Sequence, residues 1–202
     1  MEITRNIEEV VFPSETGVLY GTLLGRGEDL GVVLCPPHPL YGGSRFDHRL
    51  AAVALELEKN GITALTFDYR NKFARGRGEI QDAISALRYL RGRVKKIGIF
   101  GYSFGAVVAS NAASKFEVIG IAYLAILKQT EDIQAIVNQR APKFFIHGKK
   151  DQIAPYARFE ELYQSANEPK QCLILENEDH FFHHSIEEIA KAIARFFKGG
   201  FE

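Results

Sequence analysis

Six short apolar runs, most of them separated by a stretch of helical periodicity, restrict this chain to very few architectures. The runs are Gly31–Cys35, Ile62–Phe67, Ile97–Gly101, Ile119–Leu127, Lys143–His147 and Cys172–Glu176. None alternates apolar and polar residues as a strand with one wet face does, so each reads as a strand buried on both faces. Between them Leu50, Val53, Ala54 and Leu57 fall at i, i+3, i+4 and i+7, with Asn60-Gly61 as the stop and Ser44 with Asp47 resembling a capping box. Ile80, Ala83, Ile84, Leu87 and Leu90 repeat the stripe, as do Phe159, Leu162, Tyr163 and Ala166. Ile186, Ile189, Ala190 and Ile193 make the last one, before Gly199-Gly200. Repeated strand-then-helix units predict a mostly parallel, twisted sheet with helices on both faces, its functional loops at the carboxyl ends of the strands.

The first thirty residues differ. Ile7 to Phe12 and Val18 to Leu24 are β-prone, and Pro13-Ser14-Glu15-Thr16-Gly17 supplies a turn, so an antiparallel hairpin leads the chain. Residues 128–142 leave room for one short helix and no cap domain. A length of 202 residues with 46% hydrophobic content suits a single domain over 1–202.

Charge excludes some partners. Lys plus Arg equals Asp plus Glu at 25 each, so the basic footprint of a nucleic-acid binder is missing. No apolar stretch reaches the roughly 18–20 residues that span a bilayer, and Met1-Glu2-Ile3-Thr4-Arg5-Asn6 is charged where a signal peptide needs an apolar segment. The expectation is a soluble, cytoplasmic protein with a small-molecule partner, no nucleic acid and no membrane; a homodimer stays open. Cys35 and Cys172 read as buried free thiols.

The chemistry concentrates at Gly101-Tyr102-Ser103-Phe104-Gly105. A hydroxyl is a poor nucleophile unless it is exposed beside a base, and a strand that turns sharply into a helix lifts the apical serine clear of the sheet. Glycine two residues to either side permits the close backbone approach. Chance would supply about 0.06 such pentapeptides in a chain of this composition. Placement adds weight: a β-run, Val94 to Phe100, precedes the element and the small-residue helix Ala106 to Ala113 follows it. The rival reading is a glycine-rich turn that merely packs a helix on a strand.

Such an elbow needs a base late in the chain, after an acid. Of six histidines, His38 and His48 precede the serine, and His147 ends a strand. His180 stands four residues past the last run, with His183 and His184 nearer the helix start, facing solvent or capping it. Clustered histidines also invite a metal reading, but the acidic ligand geometry is not evident. Neither metal nor cofactor is expected. The acid is Asp151, between the Lys143–His147 strand and a helix opened by Pro155; Asp68 is out of order and Asp179 reads as a surface carboxylate. The oxyanion of acyl transfer needs two N–H donors. Phe104 supplies one. In Pro36-Pro37-His38-Pro39-Leu40-Tyr41-Gly42-Gly43 the prolines have no amide hydrogen, leaving His38, Leu40 and Tyr41, of which Leu40 is favoured. His38, Tyr41, Arg70 and Tyr102 are candidate substrate-binding residues; Tyr69 is a further pocket wall and Lys72 a further cation for an anionic group.

These elements together resemble the small, capless α/β hydrolases related to dienelactone hydrolase, in particular a bacterial and archaeal group with an H-P-H-P-L-x-G-G loop. The resemblance is carried by Pro36–Gly43, Phe67-Asp68-Tyr69-Arg70, Gly101–Ala106, His147-Gly148-Lys149-Lys150-Asp151 and Asp179-His180-Phe181-Phe182, and covers nearly the whole chain. Pro36 departs from the loop's first histidine, Asn71–Gly76 departs from the usual glycine-rich segment, and Ser103 stands where dienelactone hydrolase itself is expected to carry cysteine. The resemblance implies the α/β-hydrolase fold and an esterase-like acyl hydrolase, acting on an ester or thioester through an acyl-enzyme on Ser103, with His180 as general base and acid and Asp151 orienting it. A serine peptidase for short peptides and a catalytically silent binding protein are the alternatives.

Overall fold

The structure, a computed structural model, describes residues 6–127 and 133–199; the charged start at 1–5 and Gly200 lie outside the described residues. Eight strands form one sheet: β1 (Ile7–Ser14), β2 (Gly17–Leu24), β3 (Leu30–Cys35), β4 (Thr63–Phe67), β5 (Lys96–Tyr102), β6 (Ile121–Leu124), β7 (Lys143–Gly148) and β8 (Lys170–Leu175). Their order is β1-β2-β4-β3-β5-β6-β7-β8, with β1 and β2 antiparallel and β3 to β8 all parallel. This is the α/β-hydrolase fold with its leading hairpin.

The apolar runs behave as double-sided strands. Val33, Leu65, Ile99, Tyr123 and Phe145 point to one face, under α2 (Arg77–Arg91), α3 (Phe104–Ala113) and α5 (Tyr156–Ser165). Val32, Leu34, Ala64, Phe100 and Ile146 point to the other, under α1 (His48–Lys59) and α6 (Ile186–Phe197). Between Leu127 and β7 lies the short helix α4 (Ile133–Val137), with residues 128–132 outside the described residues.

Three local expectations are corrected. The hairpin strand runs through Pro13 to Ser14, with Pro13 opposite Val18; β1 is an edge strand, where a missing N–H breaks no ladder. Asp47, not Ser44, caps α1, accepting from the Arg49 amide at 2.9 Å. Cys35 is buried but Cys172 is exposed, both as free thiols. The second lies on β8, which ends the sheet and is covered less than the central strands.

Candidate active site

The turn from β5 into α3 carries Ser103 at φ 55° and ψ −119°, a conformation that costs an L-residue about 1–3 kcal/mol and that the surroundings must enforce. They do so by close packing. A Cβ on Gly101 would stand 2.1 Å from the Gly105 carbonyl oxygen, and one on Gly105 2.2 Å from that of Cys35. The Ser103 amide donates to the Leu124 carbonyl of the neighbouring strand at 2.8 Å, fixing the apex to the sheet.

The loops after β7 and β8 bring in the other two groups. His180 Nε2 lies 2.9 Å from Ser103 Oγ, and His180 Nδ1 lies 2.7 Å from Asp151 Oδ2. Asp151 Oδ1 accepts from the amides of Ile153 and Ala154 at 2.8 and 2.7 Å, so the carboxylate is oriented by its own loop. With Nδ1–H donating to the carboxylate, Nε2 is left to accept from the serine hydroxyl, the arrangement that general-base chemistry requires. All three side chains are buried, Ser103 retaining 8% exposure.

His147 stands behind this chain. Its Nε2–H donates to the Ala154 carbonyl at 2.8 Å and its ring stacks on Phe159 at 4.4 Å. Burial is the main reason its pKa is lowered, so the ring is held neutral while it braces the loop carrying Asp151. Glu178, also buried, accepts from the His184 amide and the Ser185 hydroxyl, tying together the chain on either side of His180 in sequence. His183 and His184 are exposed, Asp179 accepts from the Phe181 amide, and Asp68 is bound to Arg45 at 2.7 Å. Among the described residues no cluster of His, Cys, Asp or Glu could hold a metal ion.

The model of the dienelactone hydrolase family matches residues 32–196. The chain belongs to the dienelactone hydrolase family. An uncharacterized protein from Rickettsia prowazekii (strain Madrid E) is 28% identical over 176 residues, covering 78% of this chain and 74% of its own. An alpha-beta serine hydrolase homologue from Coxiella burnetii is similar with a TM-score of 0.86 at 21% identity, covering 94% of this chain and 96% of that one. An esterase from Pyrococcus furiosus gives 0.83 at 20%, covering 97% and 92%.

The loops after β3 and β4 of this dienelactone hydrolase family member depart further from expectation. The Leu40 amide donates to His38 Nδ1 at 3.2 Å and the Tyr41 amide to the His38 carbonyl at 3.0 Å, both within a 3₁₀ turn over Pro39–Tyr41. The His38 ring packs against Phe104 and Phe73 with centroids 4.7 and 4.6 Å apart, Phe104 being the residue after Ser103. Tyr41 is 89% exposed. Arg70 is turned inward: buried Asp82 of α2 holds its guanidinium and its amide, and the Gly78 carbonyl takes another N–H. A carboxylate with no exposure needs a counter-charge, so Arg70 is not free for an anionic ligand. Tyr69 and Tyr102 are buried, their hydroxyls donating to the carbonyls of Pro36 and His180. Lys72 stays exposed.

Two cavities flank the site. The larger, about 600 Å³, lies between the hairpin and the loop after β4 and is bordered by Tyr20, Arg70, Lys72 and Phe73, not by Ser103. A smaller one, about 240 Å³, is walled by His38, Phe73, Arg75, Ile80, Phe104 and Val107; Ser103 does not line it either, but its chain neighbour Phe104 does. Its position beside Phe104 and the His38 ring packed on it ties it to Ser103 more closely than size ties the larger one. Glu79 and Asp82 are the residues that sequence reasoning missed. Both are fully buried on α2, and Glu79 binds the amides of Ala74 and Gly76, so the pair fixes the loop bearing Phe73. Two carboxylates on the apolar side of a helix were the available signal.

Proposed function

We propose that this hydrolase is a serine esterase that cleaves a small ester or thioester through an acyl-enzyme on Ser103. The observation that carries the reading is the unbroken sequence of short contacts from the Ser103 hydroxyl through His180 to Asp151. His180 removes the hydroxyl proton as Ser103 attacks the acyl carbon, and Asp151 stabilises the imidazolium. The proton then passes to the departing oxygen or sulfur. Water repeats the steps to release the acid.

The Phe104 amide, in the unpaired first turn of α3, faces the developing oxyanion. The second donor comes from the 36–43 loop. With the Leu40 and Tyr41 amides bonded inside their turn, the His38 amide is the one this reading assigns, its residue packed beside Phe104. Leu40 serves only if it exchanges its bond to the imidazole. Internal pairing of Arg70 favours a neutral acyl group, and the similar Pyrococcus furiosus protein is an esterase, the same class of reaction.

Turnover of p-nitrophenyl esters set against aminoacyl p-nitroanilides tests the reading, with Ser103→Ala as control. Ester cleavage lost by at least about 10³-fold in the variant is expected. Cleavage of the anilides alone would make the enzyme a peptidase and overturn the esterase assignment.

A further inference from the structure

We propose that Tyr102, the residue between Gly101 and Ser103, is a positioning residue whose hydroxyl, aimed by Arg49, holds the backbone of His180 so that the imidazole meets the nucleophile. The proposal rests on the roles assigned above to Ser103 and His180. It adds a group that touches neither substrate nor reacting atoms.

The topology creates the need. His180 follows β8, three strands from β5 in the sheet order, so its loop must return across about 14 Å at the usual strand spacing. Long loops are the places where position is least determined by the fold. Contacts on either side hold this one: the Lys150 amide donates to the Glu178 carbonyl, and Glu178 accepts from residues 184 and 185. The backbone of residue 180 itself is held by Tyr102, whose hydroxyl donates to its carbonyl at 3.0 Å. Consecutive residues of the elbow therefore grip one histidine, Tyr102 at the carbonyl and Ser103 at Nε2, while Asp151 takes Nδ1. Three points separate in space fix both the place and the plane of the ring.

The tyrosine is itself constrained. It is 2% exposed, and the guanidinium of Arg49 stacks 4.3 Å above its ring. Asp47 grips that guanidinium at Nε and Nη2 while capping α1. Burial pushes the phenol pKa up, so the hydroxyl stays a donor wherever the imidazole titrates. A tyrosine selected for packing alone would need neither the aimed hydroxyl nor the cation over its face.

Tyr102→Phe removes one oxygen and keeps the ring. With p-nitrophenyl acetate, and with sites counted by fluorophosphonate titration, kcat should fall about tenfold with KM within about twofold, since an ångström of misplacement costs up to about 100-fold. Arg49→Leu should fall about two- to threefold. In the wild type the low-field proton resonance of His180 Nδ1–H should be a single sharp line, and in Tyr102→Phe it should broaden or move. A variant with a lower melting temperature but unchanged kcat per titrated site and an unchanged resonance would overturn the proposal, leaving Tyr102 a packing residue. If the wild type neither labels nor turns over any ester, the esterase reading fails instead. The resonance then still decides whether Tyr102 orders the imidazole.

Discussion

The loops after β7 and β8 and the loop after β3 stand at the same edge of the sheet, yet they are built on different principles. The first two carry Asp151 and His180 as buried groups with every polar atom of the contact chain engaged, braced by His147 and Glu178. The third ends in exposed apolar side chains, Leu40 at 68% and Tyr41 at 89%, on a turn closed by its own amides. Proton transfer needs fixed geometry and tolerates few solutions. Acyl groups are recognised by apolar surface, which many side chains supply, so on the proposed reading the side that would meet substrate is left open and the side that would do the chemistry is locked.

The sharpest way to break this contrast is at the locked side. Asp151→Asn preserves the shape and the two loop amides but presents an N–H to Nδ1, favouring the wrong tautomer. The expected loss is about 10³–10⁴ in kcat at constant secondary structure by circular dichroism. A loss below tenfold would show that the acid loop is not part of the proton path.

His147 sharpens the same comparison through pH. Its folded pKa is lowered, mainly by burial, so the unfolded chain binds the proton first. Stability is therefore lost as pH falls below about 6.5 and continues to fall until the folded value is reached. His147→Gln keeps a donor for the Ala154 carbonyl and removes the titration. Melting curves from pH 7 to pH 5 should fall more steeply for the wild type than for the variant; parallel curves would contradict the assignment.

The smallest effect belongs to the open side. Tyr41→Ser should change kcat for p-nitrophenyl acetate by less than about twofold and the melting temperature by less than about 2 °C, as exposed substitutions do. A tenfold change in kcat would mean that the exposed ring orders the oxyanion loop, and the contrast would dissolve.

The same contrast explains what could be read from sequence. Double-sided strands announce themselves by apolar runs, and Ser103, Asp151 and His180 by a motif and an order along the chain. Partners that converge from distant segments leave no such trace. Arg70 looks like a ligand for an anion until the fold brings Asp82 beneath it. Tyr102 looks like a pocket wall, but the last residue of β5 points its ring into the layer under α1, against Arg49. Leu40 looks like a donor, and only the 3₁₀ turn shows its amide bound to His38. Cys172 sits in an apolar run but on the sheet's outer strand.

The most direct test of the acyl-enzyme claim is intact mass spectrometry of the protein quenched in acid during turnover of a slow p-nitrophenyl ester, with peptide mapping of any adduct. One acyl mass on the peptide containing Ser103, absent in Ser103→Ala, is predicted. Ester turnover without any adduct under single-turnover conditions, or an adduct on another residue, would contradict the account.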